Sequence, residues 1–321
     1  MRAIALRRSA LAFACAVVLL VLAFNVPDNR VVLFNTFLAY GALVLSLDLM
    51  VGNLNLLPAG HAAFFGAGAY ASVVLNQTAG WPLPIAGLVA MVGCGLFAAV
   101  IGLPVVGRTA GMSFAIVTFA IGELMVRVVA KSPDLLGGTE GLTVSWGVGE
   151  DMPFGFTIYR YFSLWLVAVF VLVLLVVIWI RSSHLGLRLT AIRDDENATR
   201  GLGINPVAYK TVVFGISSGL AAAVGVAWAP MVGYIGPDSM ATGESIFLLS
   251  LLIVGGIRSV GGALAGVLLL MILPLYLEIE PAARIAFVGG ALALIALIEP
   301  GGIAGLARRA RALLARPRIP A

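Results

Sequence analysis

The run YFSLWLVAVFVLVLLVVIWIR, Tyr161 to Arg181, carries no charge until its closing arginine. A helix needs about 20 predominantly apolar residues to cross the hydrocarbon core of a bilayer, and this run supplies them. It predicts a transmembrane helix. Working outward, apolar segments of similar kind recur at 9–26, 31–50, 58–77, 82–105, 110–130, 207–232, 244–257, 260–277 and 285–300. The expectation is an all-α polytopic bundle of about ten spans, one transmembrane domain over 1–321. Two spans are unusual. Segment 58–77 is polar and kinkable, with Pro58, Gly60, His61, Gly66 and Gly68, and segment 244–257 is short. Both read as broken or re-entrant helices.

Composition excludes a soluble protein. Of 321 residues, 61% are apolar and 11% charged, and mean hydropathy is +1.08. A water-facing surface needs about a quarter of its residues charged. The 38 glycines suit helices whose backbones approach closely. Cys15 and Cys94 lie in apolar runs, and His61 and His184 stand far apart, so neither a disulfide nor a metal site is expected. The pI near 9.6 marks basic loops rather than a nucleic-acid partner. Arg2, Arg7 and Arg8 before 9–26 resemble a signal peptide, but no small-x-small site closes the run. A retained first span is expected.

Charge tests the count. With the N-terminus in the cytoplasm and ten alternating spans, most basic residues fall inside: Arg2, Arg7, Arg8, Arg108, Arg181, Arg188, Arg193, Arg200, Lys210, Arg258, Arg308, Arg309, Arg311, Arg316 and Arg318. Only Arg30, Arg127, Lys131, Arg160 and Arg284 fall at or toward the outside. That is the positive-inside pattern, and it places both termini and the basic tail 301–321 in the cytoplasm. Two connections are long: an outer loop 131–160 rich in Gly and acid, and an inner loop 182–206, the most charged stretch in the chain.

The inner loop runs SSHLGLRLTAIRDDENATRGLGINP from Ser182. Asp194 or Asp195 is suited to cap a helix, since a carboxylate accepts from the free N–H groups of a first turn. Gly201 and Gly203 offer left-handed closing positions and Pro206 forbids continuation. A helix of about two turns is predicted around Asp195–Arg200, too short to hold in water unaided. It is either a solvated connector or a rod that transmits motion from a cytoplasmic motor, and the residues alone leave both open.

Four segments resemble a known family, the permease subunits of branched-chain amino-acid ABC importers, the M-type partner in particular. Gly60-His61-Ala62-Ala63-Phe64-Phe65-Gly66-Ala67-Gly68-Ala69-Tyr70 is similar to its GHAAFFGIGAY stretch, and Phe114 to Glu123 to its YFAIVTLAFGE stretch. Gly137 to Leu142 resembles its GGTDGL loop. Gly186 to Pro237 resembles its GRALRAIRDDEXAAXXLGIN segment, the helix that follows and a GYIGPDS turn. With 253–266 added, the likeness covers roughly 45–275 in the family's order. Pro58 and Ala59 depart from it before Gly60, as do Arg258 and Ala263 where Gly and Pro are usual. The first two bear on specificity more than on fold.

The resemblance implies a transport subunit without catalysis. Two permeases form the path, two cytoplasmic ATPases bind ATP, and a periplasmic protein delivers the amino acid across a bacterial inner membrane. No phosphate-binding Gly-x-x-x-x-Gly-Lys-Ser/Thr loop occurs, so no ATP site and no cofactor are expected in this chain. It implies that Arg193, Asp194, Asp195, Glu196, Ala198, Leu202 and Gly203 couple the chain to the ATPase. His61, Phe64, Glu123 and Arg127 are candidate pathway residues. Glu123 is the deepest acid of the expected spans, and Arg127 four residues on can pair with it. Packing roles are the plain alternative for His61 and Phe64, and helix capping for Glu244-Ser245. Segments 58–77 and 244–257 run oppositely, which suits an inverted repeat. The rival class is a stand-alone secondary transporter or channel. It calls for buried charge relays, for which only Glu123 and Arg127 qualify. Branched-chain amino acids, other amino acids, urea and short amides all remain open as substrates.

Overall fold

The computed structural model of the chain describes residues 18–19, 21, 23–109, 111–144, 158–299 and 301–314. The described chain is helical nearly throughout: α1 (Asp28–Leu54), α2 (His61–Ala79), α3 (Leu83–Arg108), α4 (Met112–Ala130), α5 (Ile158–Ser182), α6 (His184–Asp194), α7 (Glu196–Gly201), α8 (Pro206–Val232), α9 (Thr242–Gly255), α10 (Val260–Tyr276), α11 (Pro281–Ile298) and α12 (Gly302–Leu314). The protein is a multi-pass membrane bundle. Among the described residues six helices are long and apolar enough to cross a membrane, namely α1, α3, α4, α5, α8 and α11. The expected spans 58–77, 244–257 and 260–277 appear as α2 and the two shorter apolar helices α9 and α10. The expected span 9–26 and the outer loop at 145–157 lie largely outside the described residues, as does the tail after 314.

Local chemistry sets the helix ends. Pro206 and Pro281 open α8 and α11, where the missing N–H costs nothing. Gly80 (φ 67°) and Gly233 (φ 75°) end α2 and α8 in the left-handed conformation. Pro206 therefore acts differently from the sequence reading. It begins the next helix, behind an Asn205 cap whose side chain accepts from the Val207 and Ala208 N–H groups. The basic tail is also more ordered than a plain tail through Leu314, where it forms α12.

Helix α8 is the axis of the bundle. It has 83% of its apolar window buried and α1 has 72%, against 6% for α11, which leaves α11 on the periphery. Close backbone approach makes this possible. A Cβ on Gly68 of α2 would strike the Ala222 carbonyl of α8, and one on Gly225 would strike the Phe65 carbonyl. Without a hydrophobic drive between helices in lipid, such contact supplies the packing energy. Phe214 of α8 stands edge-on to Phe64 (5.7 Å) and Phe114 (5.8 Å), tying α2 and α4 to it.

The ends of α8 define two faces, about 40 Å apart at 1.5 Å per residue. At one, Lys210 meets Glu196 of α7. At the other, Leu142–Thr143 (β1) pairs antiparallel with Tyr234–Ile235 (β2), with Leu142 opposite Ile235.

Candidate functional site

Two helices begin inside the bundle rather than at a face. After α1 ends at Asn55 in the left-handed conformation (φ 55°), residues 55–60 fold back along it. The Ala59 N–H donates to Thr118 Oγ1 (3.0 Å) and the Ala62 N–H to Ser245 Oγ (2.9 Å). From there α2 runs to the β-ladder face, where Gln77 Nε2 donates to Thr143 O. The chain leaving α8 returns through β2 and a turn at Pro237–Met240, and Met240 packs on Gly66. Helix α9 then starts beside α2 and runs to the α7 face, where Arg258 Nη2 donates to Thr190 Oγ1. The short segments thus leave a common level in opposite directions, the geometry of paired broken helices.

Polar side chains close this junction. Ser46 Oγ lies 2.9 Å from His61 Nε2 and 2.8 Å from the Leu43 carbonyl, which takes the hydroxyl proton. Among the described residues His61 Nδ1 is buried and has no hydrogen-bond partner. Ser217 Oγ donates to Ser46 O, tying α8 in. Ser245 does not cap its own helix, as the sequence suggested. It caps α2 in trans. Glu123 likewise does not pair with Arg127: its Oε1 accepts from Thr242 Oγ1 at 2.6 Å, while Arg127 is exposed. Phe64 is buried against Phe214.

Next to the junction lies a small polar cleft of about 70 Å³, lined by Tyr40, Ala62, Trp228, Ser239 and Glu244 among others. Tyr40 Oη donates to Glu244 Oε2 at 3.4 Å. The Tyr40 ring stands nearly perpendicular to Trp228 (6.3 Å) and Phe247 (6.1 Å). A far larger groove of about 620 Å³ between α2, α3 and α4 is lined almost wholly by apolar side chains. It offers no convergent polar groups to orient a solute, so the small cleft is the stronger candidate.

The second locus is the loop 182–206. Asp195 is the cap: its Oδ1 accepts from the Asn197 and Ala198 N–H groups, both at 2.9 Å. Asp194 instead ends α6, a helix the sequence reading did not foresee. Gly203 takes φ 78°, but Gly201 stays helical. Glu196 bridges Arg200 (2.9 Å) and Lys210 of α8 (2.6 Å). Partial burial pushes its carboxyl up, but the hydrogen bond and charge of Lys210, with Arg200, outweigh that and hold it below its ordinary value of 4.5. Arg193 Nη1 donates to Gly52 O of α1 (2.8 Å). Ala198, Leu202 and Gly203 are exposed.

Beneath this loop sits the group that sequence reasoning missed. Asp48 of α1 is fully buried, accepting from Arg181 Nη2 of α5 (2.6 Å) and the Arg258 N–H (3.0 Å). Arg258, with φ 64°, reaches back to Thr190 of α6. Asp48 thus joins α1, α5, the α9–α10 turn and the loop. A lone aspartate near the end of an apolar run was its visible signal. Tyr40 carried none, being one aromatic among many in a span.

Comparison with known proteins shows the family. The family model described as branched-chain amino acid transport system / permease component matches residues 29–297. The high-affinity branched-chain amino acid transport system permease protein LivM of Escherichia coli (strain K12) is 30% identical over 91% of this chain and 75% of its own length. LivM of Salmonella typhimurium is 29% identical over 89% and 72%. The high-affinity branched-chain amino acid transport system permease protein LivH of E. coli (strain K12) is 31% identical over 50% of this chain and 52% of its own. No solved structure matches. A model match across nearly the whole described bundle, with broken helices and a capped loop where the family's motifs fall, makes this chain a member of the branched-chain amino acid transport system permease family.

Proposed function

We propose that the chain is one membrane-spanning subunit of an ATP-driven importer for branched-chain or related amino acids. It forms the path with a second permease in a bacterial inner membrane, with both termini and the α7 face cytoplasmic. Two ATPase subunits bind the ATP, a periplasmic binding protein delivers the solute, and the chain itself holds no cofactor. The observation that carries this is a contrast within the loop 182–206. Glu196 fastens α7 to Lys210 of α8, and Arg193 fastens α6 to Gly52 of α1. Beside that anchorage, Leu187 of α6 and Leu202 just past α7 stand 71% and 78% exposed. An anchored rod flanked by exposed leucines is suited to receive a push from a docked partner, whereas a solvated connector needs neither anchorage nor apolar exposure.

The experiment places a cysteine at Ala198 in the complete importer. It should cross-link to the ATPase subunit, and Ala198→Trp should abolish amino-acid uptake while the permease still inserts. Normal uptake by Ala198→Trp with no cross-link would make the loop a plain connector.

A further inference from the structure

Glu244 is a carboxylate without a cation. No lysine, arginine or histidine pairs with it among the described residues, and its only side-chain bond is the long one from Tyr40. A second carboxylate, Glu123, sits at the same helix start, bonded to Thr242. The N-terminus of α9 favours negative charge there, against the cost of burial, and a cation in the cleft would favour it further. Uncompensated charge inside a membrane bundle is costly and is retained where it meets a charged solute. The Tyr40 and Trp228 rings line the cleft beside Glu244, with Leu43, Phe65, Ser239 and Leu248 among the rest of its lining, and aromatic faces attract cations, most of all when water is excluded.

We propose that the Tyr40–Trp228–Glu244 cleft is a subsite for a protonated primary amine, the ammonium end of a zwitterionic amino acid on its way through the permease. This rests on the amino-acid importer reading above and narrows it. The cleft's roughly 70 Å³ holds a head group and not a whole amino acid, so the side chain of the solute stays outside. The subsite selects for the amine and tolerates varied side chains. Urea and simple amides bring no cation and leave Glu244 uncompensated, so they are poor occupants.

The test uses the complete importer in vesicles, with binding protein, L-leucine and ATP, and reads leucine delivered per ATP hydrolysed. Glu244→Gln should cut that ratio about tenfold or more, the effect of losing a charge-assisted bond, while binding-protein-stimulated hydrolysis persists. Glu244→Asp should restore part of it. A merely structural role would lower hydrolysis and delivery together. Should Glu244→Gln fail to assemble, Trp228→Leu against Trp228→Phe decides, with only the leucine variant losing delivery. An unchanged ratio in both Glu244→Gln and Trp228→Leu overturns the subsite alone, leaving the importer reading intact. A wild-type ratio that collapses when sodium is replaced by N-methylglucamine assigns the carboxylate to a metal cation and also overturns it. A wild-type complex that moves none of the standard amino acids overturns the importer reading and the subsite with it.

Discussion

The junction where α2 and α9 begin and the network beneath α7 perform the same task with different chemistry. Each joins segments far apart in sequence. The junction does so with neutral groups: Ser245 accepting from Ala62, Thr118 accepting from Ala59, Ser46 against His61. The α7 face does so with ionised ones: Asp48 with Arg181, and Glu196 with Lys210. Depth explains the division. A neutral hydrogen bond carries a small desolvation cost and keeps its strength in a dry interior. An ion pair is tolerable where long basic side chains reach the membrane edge. The junction is therefore held by packing and neutral hydrogen bonds, and the α7 face by ion pairs that respond to charge. Glu123 and Glu244 depart from this on the junction side: Glu123 accepts from Thr242, and Glu244 has only the long bond from Tyr40, which is the basis of the subsite proposed above.

The largest expected effect lies at the backbone contact that supports the junction. Gly225→Val drives a side chain into the Phe65 carbonyl, and α2 cannot then reach α8. The expected outcome is loss of the folded permease, read as absence of a monodisperse peak in detergent. A well-folded Gly225→Val protein would show that α2 and α8 need not touch.

Asp48→Ala should come next. It leaves Arg181, whose side chain is 16% exposed, without its anion, and breaking a buried pair from one side costs about 3 kcal/mol or more. The thermal midpoint of the purified chain should fall by several degrees. Replacing both partners, Asp48→Leu with Arg181→Met, should recover much of the loss. No recovery would mean that the Arg258 N–H contact to Asp48, not the ion pair, is the stabilising element.

The smallest effect is a pH response confined to α7. The Glu196 carboxyl is held below its ordinary value in the folded chain. A depressed folded pKa contributes stability that is fully present above the ordinary value of 4.5 and is lost as pH falls through the folded one. Labelling of a cysteine at Thr199, buried in α7, taken relative to a free thiol at the same pH, should be flat from about pH 8 to about pH 5 and rise only in more acid solution. Glu196→Gln should remove that rise and label faster throughout. A rise beginning near neutral pH would assign the docking of α7 to another group.

Much of this was readable along the chain. The spans from 31 to 300 were visible because the cost of placing a residue in lipid accumulates over a local window, and 161–181 alone established the class. The Asp195 cap and the left-handed Gly203 were readable for the same reason, since capping spans only three or four residues. Helix α6 was missed because its polar sequence shows little periodicity to a reader; its buried Leu189 and Ile192 are distinguished only by what they pack on. Tertiary structure alone decided which polar groups meet. Ser245 reaches Ala62 across 183 residues, Tyr40 reaches Glu244 across 204, and Arg181 reaches Asp48 across 133. The expected Glu123–Arg127 pair, though only four residues apart, gave way to Thr242 across 119. Apolar burial in a membrane depends on each residue's own transfer cost and so is written locally. A buried polar group takes whichever partner the packed helices bring within hydrogen-bonding distance, and that is settled only when the bundle closes.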